Sequence, residues 1–144
     1  MFEALRSFCS RFSKSASQGG SLQKVRGEKG ERHAAQFLKR EKGFKVLVQN
    51  WRSGRDELDL ICRDGAVLVC VEVKTRAVDA LVPGYYAVDA RKKQALLRAF
   101  RSYLKTLSHR PNTFRFDVVE VRLGNSGEVV RILHYPNVPL FPKH

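Results

Sequence analysis

The sequence predicts a mixed α/β domain in which a small mixed sheet is flanked by helices. Three observations predict it. Apolar residues recur at helical spacing in two stretches, about Gly27 to Lys42 and about Ala90 to Leu107. Between and after them lie short runs rich in valine, leucine, isoleucine and phenylalanine, bounded by glycine, asparagine and aspartate. At 144 residues, 43% hydrophobic and 28% charged, the chain is long enough for one core without disulfide or metal staples.

Residues 1 to about 24 are serine-rich and basic, and a flexible tail is expected there. Phe2, Leu5, Phe8 and Phe12 stand at loosely helical spacing beside Arg6, Arg11 and Lys14. A surface-binding amphipathic helix, reaching an anionic membrane surface, or an organelle transit peptide is the sharper alternative. Residues 25–144 are expected to form the single domain. Its first helix carries the stripe Ala34, Ala35, Phe37 and Leu38 and stops at Gly43, the usual C-terminal glycine. A strand from Phe44 to Asn50 follows, then a polar turn over Arg52 to Asp56. Two further strands lie on either side of Asp64-Gly65. After a loop from Ala77 to Asp89, Asp89 caps the second helix. Strands Phe114 to Arg122 and Glu128 to His134 flank Gly124-Asn125-Ser126-Gly127, and a proline-containing tail ends the chain in extended form.

Charge interrupts the second and third strands. Asp59 sits in Glu57-Leu58-Asp59-Leu60-Ile61, and Glu72 and Lys74 sit in Val69-Cys70-Val71-Glu72-Val73-Lys74. Burying such groups is costly unless they are paired or bind a metal. Asp64-Gly65 is a strong two-residue hairpin signal. The register it predicts sets Asp59 opposite Cys70 and Glu57 opposite Glu72. Glu57, Asp59, Glu72 and Lys74 then share one face, with Asp59 and Glu72 roughly 7–8 Å apart at the backbone. Two acids and a lysine suit metal-assisted phosphodiester cleavage. The plainer alternative is a salt-bridge network of Asp59 or Glu72 with Lys74 or Arg76.

The net charge of +13 implies a polyanionic partner, nucleic acid or an anionic membrane surface. No apolar run approaches the roughly 18–20 residues that span a bilayer. Cys9, Cys62 and Cys70 lack metal-ligand spacing, and Cys62 and Cys70 would face opposite sides of the sheet. A reducing, cytoplasmic setting is expected. His33, His109, His134 and His144 show no ligand spacing either. On the second helix Leu96, Leu97, Phe100, Tyr103, Leu104 and Leu107 form the core side, and Arg91, Gln94, Arg98, Arg101 and Lys105 fall opposite. Arg91, Lys92, Lys93, Arg98, Arg101, Lys105 and Arg110 stand in this region without an acid. A single-sign stripe suits a phosphate-tracking surface; a merely solvated helix is the alternative. Gly27 and Gly30 lack the lysine-serine of a phosphate loop and would instead let the helix approach the sheet. Glu31 is then either a third acid of the site or an ordinary helix-dipole glutamate. Trp51 is expected in the core or at its rim rather than stacked on a base.

Several of these segments together resemble a known family. They are Gly27-x-x-Gly30-Glu31, Asn50-Trp51-Arg52, Glu57-Leu58-Asp59-Leu60-Ile61, Val71-Glu72-Val73-Lys74-x-Arg76, Lys93-Gln94 and Arg115-Phe116-Asp117-Val118-Val119. The pattern is similar to the YraN-like family of the PD-(D/E)xK nuclease superfamily. The resemblance implies a restriction-endonuclease-like αβββαβ core, similar to Holliday-junction resolvases. It implies that Glu31, Asp59 and Glu72 bind Mg2+ or Mn2+ and that Lys74 orients or activates the attacking water. With the basic stripe, the expectation is a metal-dependent endonuclease acting on DNA, branched or damaged, in recombination or repair, with Arg76, Arg91, Lys93, Gln94, Arg98, Arg101 and Lys105 on nucleic acid. Two-fold symmetric junction cutting would need a homodimer. A nucleic-acid-binding module that keeps the fold without the activity is the other reading. The family usually has glycine where this chain has Asp56.

Overall fold

A computed structural model describes residues 19–81 and 88–140. Its elements are α1 (Gly19–Arg40), β1 (Lys45–Ser53), β2 (Asp56–Asp64), β3 (Val67–Ala77), α2 (Ala90–Thr106), β4 (Phe114–Leu123) and β5 (Val129–Tyr135). Helix, three strands, helix, two strands is the predicted order. The five strands lie side by side as β1-β2-β3-β4-β5. β3 and β4 run parallel and the other neighbours antiparallel. A parallel pair needs a crossover, and α2 supplies it.

The two helices cover opposite faces of the sheet. Ala34, Ala35 and Leu38 of α1 share one core with Leu60, Cys62, Val69, Val71, Val119 and Val121. Leu96, Ala99, Phe100, Tyr103 and Leu104 of α2 share the other with Ile61, Leu68, Cys70, Phe116 and Val118. Cys62 and Cys70 are free thiols in different cores, as their alternation requires. After Phe116, the chain returns to the α2 side at its end. The Val138 N–H donates to the Phe116 carbonyl at 2.7 Å, and Val138 and Leu140 are buried there. Gly43, at φ +69, turns the chain so that the Phe44 N–H reaches back to the Leu38 carbonyl at 2.9 Å.

Most boundaries fall within two residues of expectation, and three features depart from it further or shift the register. Helix α1 starts at Gly19 rather than Gly27, so residues 19–24 are helical. Gly27 disfavours helix by only about 1 kcal/mol, and Leu22, Gln23, Lys24 and Arg26 are good helix formers. The expected tail otherwise falls on residues 1–18, outside the described residues. β1 continues through Trp51 and Arg52 to Ser53, leaving a shorter turn in which Gly54 takes φ +57. The β2–β3 loop is Gly65-Ala66, with Asp64 paired to Val67 and Gly65 at φ +56. The register is thereby displaced by two from the predicted one. A two-residue displacement keeps every side chain on its face.

Candidate active site at the fork between β2 and β3

The β2–β3 ladder runs from Asp64 and Val67 to Leu60 and Val71 and stops there. The next residues on the two strands are Asp59 and Glu72. Asp59 Oδ2 accepts the Val73 N–H at 2.9 Å, so a carboxylate fills the place of a strand partner. The side-chain alternation of β2 also breaks at Asp59. Leu60 and Cys62 face α1, but Leu58 and Ile61 both belong to the α2-side core. β1 breaks opposite it: Val48 and Trp51 both pack on the α2 side, and Asn50 between them takes φ +51. Asparagine tolerates that left-handed conformation better than most residues.

This break divides the predicted face. Glu72 and Lys74 lie on the α2 side, where Glu72 is 3% exposed. Glu57 does not join them. With its amide turned to donate, Asn50 reaches Glu57 Oε1 at 3.1 Å and Glu31 Oε2 at 3.0 Å. Glu57 therefore pairs off with α1, with Arg52 4.0 Å away. Strict alternation cannot survive a left-handed residue in one strand and a fork in the next.

Glu31 reaches this region because of Gly30. A Cβ at position 30 would lie 1.9 Å from Thr75 Oγ1, so glycine lets α1 close onto β3. Gly27 meets nothing within 4 Å and has no such role.

Glu72 Oε1 receives two ammonium groups, Lys92 Nζ at 3.0 Å and Lys74 Nζ at 3.3 Å. Its Oε2 is buried without a hydrogen-bond partner. Burial pushes the Glu72 carboxyl up, but Lys92 and Lys74 outweigh it and hold the group below the usual value. Asp59 goes the other way. Burial, then the charge of Glu72 and more weakly that of Glu31, push it well above the usual range, against Lys92 and the Val73 N–H. Asp59 nevertheless keeps partial solvent exposure, so it is the accessible member of the pair. Among the described residues, no three histidine, cysteine, aspartate or glutamate side chains already form a cation cage.

Lys92 is the site residue that motif reading missed. It stands on the buried stripe of α2 with Leu96, Ala99 and Tyr103, and that helical spacing was the available signal. Arg91, Gln94, Arg98, Arg101 and Lys105 are exposed on the opposite side as predicted, while Lys93 and Arg76 are half-buried. Arg98 is already engaged. Asp56 accepts from its Nε at 2.6 Å and its Nη2 at 2.7 Å. Asp89 caps α2 as expected, accepting the Lys92 N–H at 2.8 Å. Trp51 packs edge-on against Tyr103 at 5.4 Å, a rim position of the core.

Two other polar clusters are structural. Asp117 is fully buried and accepts from Arg115 Nε at 3.0 Å, the Asn137 N–H at 2.9 Å and His134 Nε2 at 2.8 Å. Glu120 pairs with Arg122 Nε at 2.8 Å. A cavity of about 100 Å³ between α2 and the C-terminal segment is lined by Leu97, Phe100, Phe114 and Leu140 and by Arg115 and Asn137, and not by Glu31, Asp59 or Glu72.

Residues 30–121 match the model of the uncharacterised protein family UPF0102. The chain belongs to that family. UPF0102 is the YraN-like group with a nuclease-type fold. The match includes Glu31, Asn50, Asp59, Glu72, Lys74 and Lys92, so the whole fork lies inside it. A UPF0102 protein of Symbiobacterium thermophilum is 44% identical over 103 residues, 72% of this chain and 86% of the relative. One from Porphyromonas gingivalis is 39% identical over 119 residues, covering 82% and 87%. One from Pelotomaculum thermopropionicum is 36% identical over 114 residues, covering 79% and 94%. Among the described residues, no helix of this UPF0102 protein is long and apolar enough to cross a membrane.

Proposed function

We propose that this UPF0102 protein is a metal-dependent endonuclease acting on DNA, with its hydrolytic site at the β2–β3 fork. The observation that carries the reading is the bare, buried Oε2 of Glu72 beside the crowded carboxyl of Asp59. Two carboxylates that repel each other, one with an unused buried oxygen, suit a hard cation. Mg2+ commonly binds through one or two carboxylates, completing its shell with water and phosphate. Asp59 and Glu72 would hold Mg2+ or Mn2+, with Glu31 approaching from α1. Such an ion, when bound, polarises a phosphoryl oxygen and supplies hydroxide at neutral pH. Lys74, on the same face as Glu72, orients the attacking water. Arg91, Gln94, Arg101 and Lys105, with Lys93 and Arg76, hold flanking phosphates and confer affinity without sequence selection. Arg98 contributes less because Asp56 clasps it. The resemblance of the sequence pattern to junction resolvases supports branched DNA of recombination or repair as the substrate, and a homodimer is the assembly such symmetric cutting needs.

The test is a cleavage panel of single-stranded, duplex, flap, fork and four-way-junction DNA with Mg2+ or Mn2+. Asp59→Asn and Glu72→Gln are expected to lose on the order of 100-fold or more in rate while keeping the wild-type circular dichroism spectrum. Undiminished cutting by both variants would exclude the fork as the site. A second reading, a non-catalytic nucleic-acid-binding module, is favoured by the two lysines that already neutralise Glu72. It predicts salt-sensitive binding and no cutting on any of these substrates.

A further inference from the structure

Lys92 belongs to a different element from the acids, yet it is 7% exposed and lies nearer to Glu72 Oε1 than Lys74 does. A buried ammonium is costly unless paired. Its position is fixed from both ends. Its backbone N–H is held by the Asp89 cap, and Leu96, Ala99 and Tyr103 anchor the same stripe of α2 in the core. Both lysines converge on one oxygen of Glu72 and leave the other bare. An ammonium at 3.0 Å and a divalent cation would repel strongly if both bound that carboxylate, because charges a few ångströms apart interact strongly away from bulk water.

We propose that Lys92 is a positioning residue, a tethered counter-cation that holds Glu72 in place and competes with the divalent cation for it. The proposal rests on the metal-dependent reading above. Lys92 lets the two acids pack into the fork before any cation binds. The same contact weakens cation binding, so the site loads fully only when a substrate phosphate offers the displaced ammonium a new anionic partner. DNA and metal binding are thereby coupled through one side chain.

The experiment is Mn2+ titration by calorimetry of the full chain without DNA, for wild type, Lys92→Met and Lys92→Arg. Thermal melts in chelator and in Mn2+ accompany it. Lys92→Met is expected to bind Mn2+ about tenfold more tightly, the size of a modest coupling between two sites. Its melting temperature is expected to fall in chelator and to recover with Mn2+, while Lys92→Arg follows wild type in both. If Lys92→Met is unfolded in chelator, refolding on addition of Mn2+ supports the proposal, and failure to refold overturns it. Wild type binding Mn2+ with Lys92→Met no tighter would overturn the role of Lys92 alone. Absence of Mn2+ binding in wild type and both variants would overturn this role and the metal-dependent reading together.

Discussion

Replacing Gly30 with alanine tests whether the closeness of α1 to β3 builds the site. Two effects oppose each other. Alanine is the better helix former by about 1 kcal/mol, so an unconstrained position would gain stability. Against that, the new Cβ would lie 1.9 Å from Thr75 Oγ1, 3.2 Å from its Cβ and 3.5 Å from its Cγ2. Rotating Thr75 removes the first contact but not the second, which is inside the roughly 3.5–4.0 Å optimum for carbon pairs. Overpacking of this kind costs about 1–3 kcal/mol, so steric strain wins by about 1 kcal/mol. The assay is urea unfolding of Gly30→Ala, Thr75→Ala and the double variant, comparing midpoints at constant slope. Thr75→Ala removes Oγ1 and Cγ2 but keeps the Cβ at 3.2 Å, so Gly30→Ala should be relieved in part, and cost less, in that background. A coupling of about 1 kcal/mol is expected from neighbours in direct contact. On the metal-dependent reading, Gly30→Ala should also weaken Mn2+ binding, because a helix that backs away withdraws Glu31 from Asp59 and Glu72. A single variant as stable as wild type, with no coupling to Thr75, would refute the claim that glycine sets the approach of α1.

Two further outcomes follow from buried groups outside the fork. Although burial pushes the Asp117 carboxyl up, hydrogen bonds from His134, Arg115 and the Asn137 N–H hold it below the usual value. Its contribution is therefore present above pH ~4 and lost as pH falls through the lowered folded value. Asp117→Asn should cost about 1–3 kcal/mol at pH 7 in urea unfolding and show a shallower acid decline than wild type; parallel acid limbs would contradict this. Burial, and then the charge of Asp117, push the Cys62 thiol up to about 12; burial and then Glu72 push Cys70 up as well. In a Cys9→Ser background, neither thiol should react with a disulfide reagent at pH 8 until denaturant is added, and rapid labelling of the native protein would refute the packing of both cores.

The fold was legible because each element declares itself locally. The α2 stripe, the Asp89 cap and the Gly43 stop are short-range signals, and all three appear as read. The hairpin loop was misplaced by one residue because Asp64-Gly65 and Gly65-Ala66 both put Gly65 at positive φ. Only packing across the strands chooses between them. The two loops differ by two in register and so leave every side chain on the same face.

The grouping of Glu57 with Glu72 failed for a different reason. Period-two alternation is a property of an unbroken ladder, and this ladder is broken twice at one level, by Asn50 in β1 and by Asp59 in β2. Neither residue type announces a break, because asparagine and aspartate also occur in ordinary strands. Lys92 was more accessible to inference. Acids placed in buried strands require cations from somewhere, and Lys74 alone cannot compensate both Asp59 and Glu72. A lysine in register with Leu96, Ala99 and Tyr103 lays its stem along the apolar stripe, and here its ammonium ends on the buried carboxylate of Glu72. The α2 cations fall into two groups. On the proposed function those on the solvent side, apart from Arg98 held by Asp56, would follow phosphates, whereas Lys92 on the apolar side pairs with Glu72, and exchanging Arg101 or Lys92 should therefore perturb different quantities.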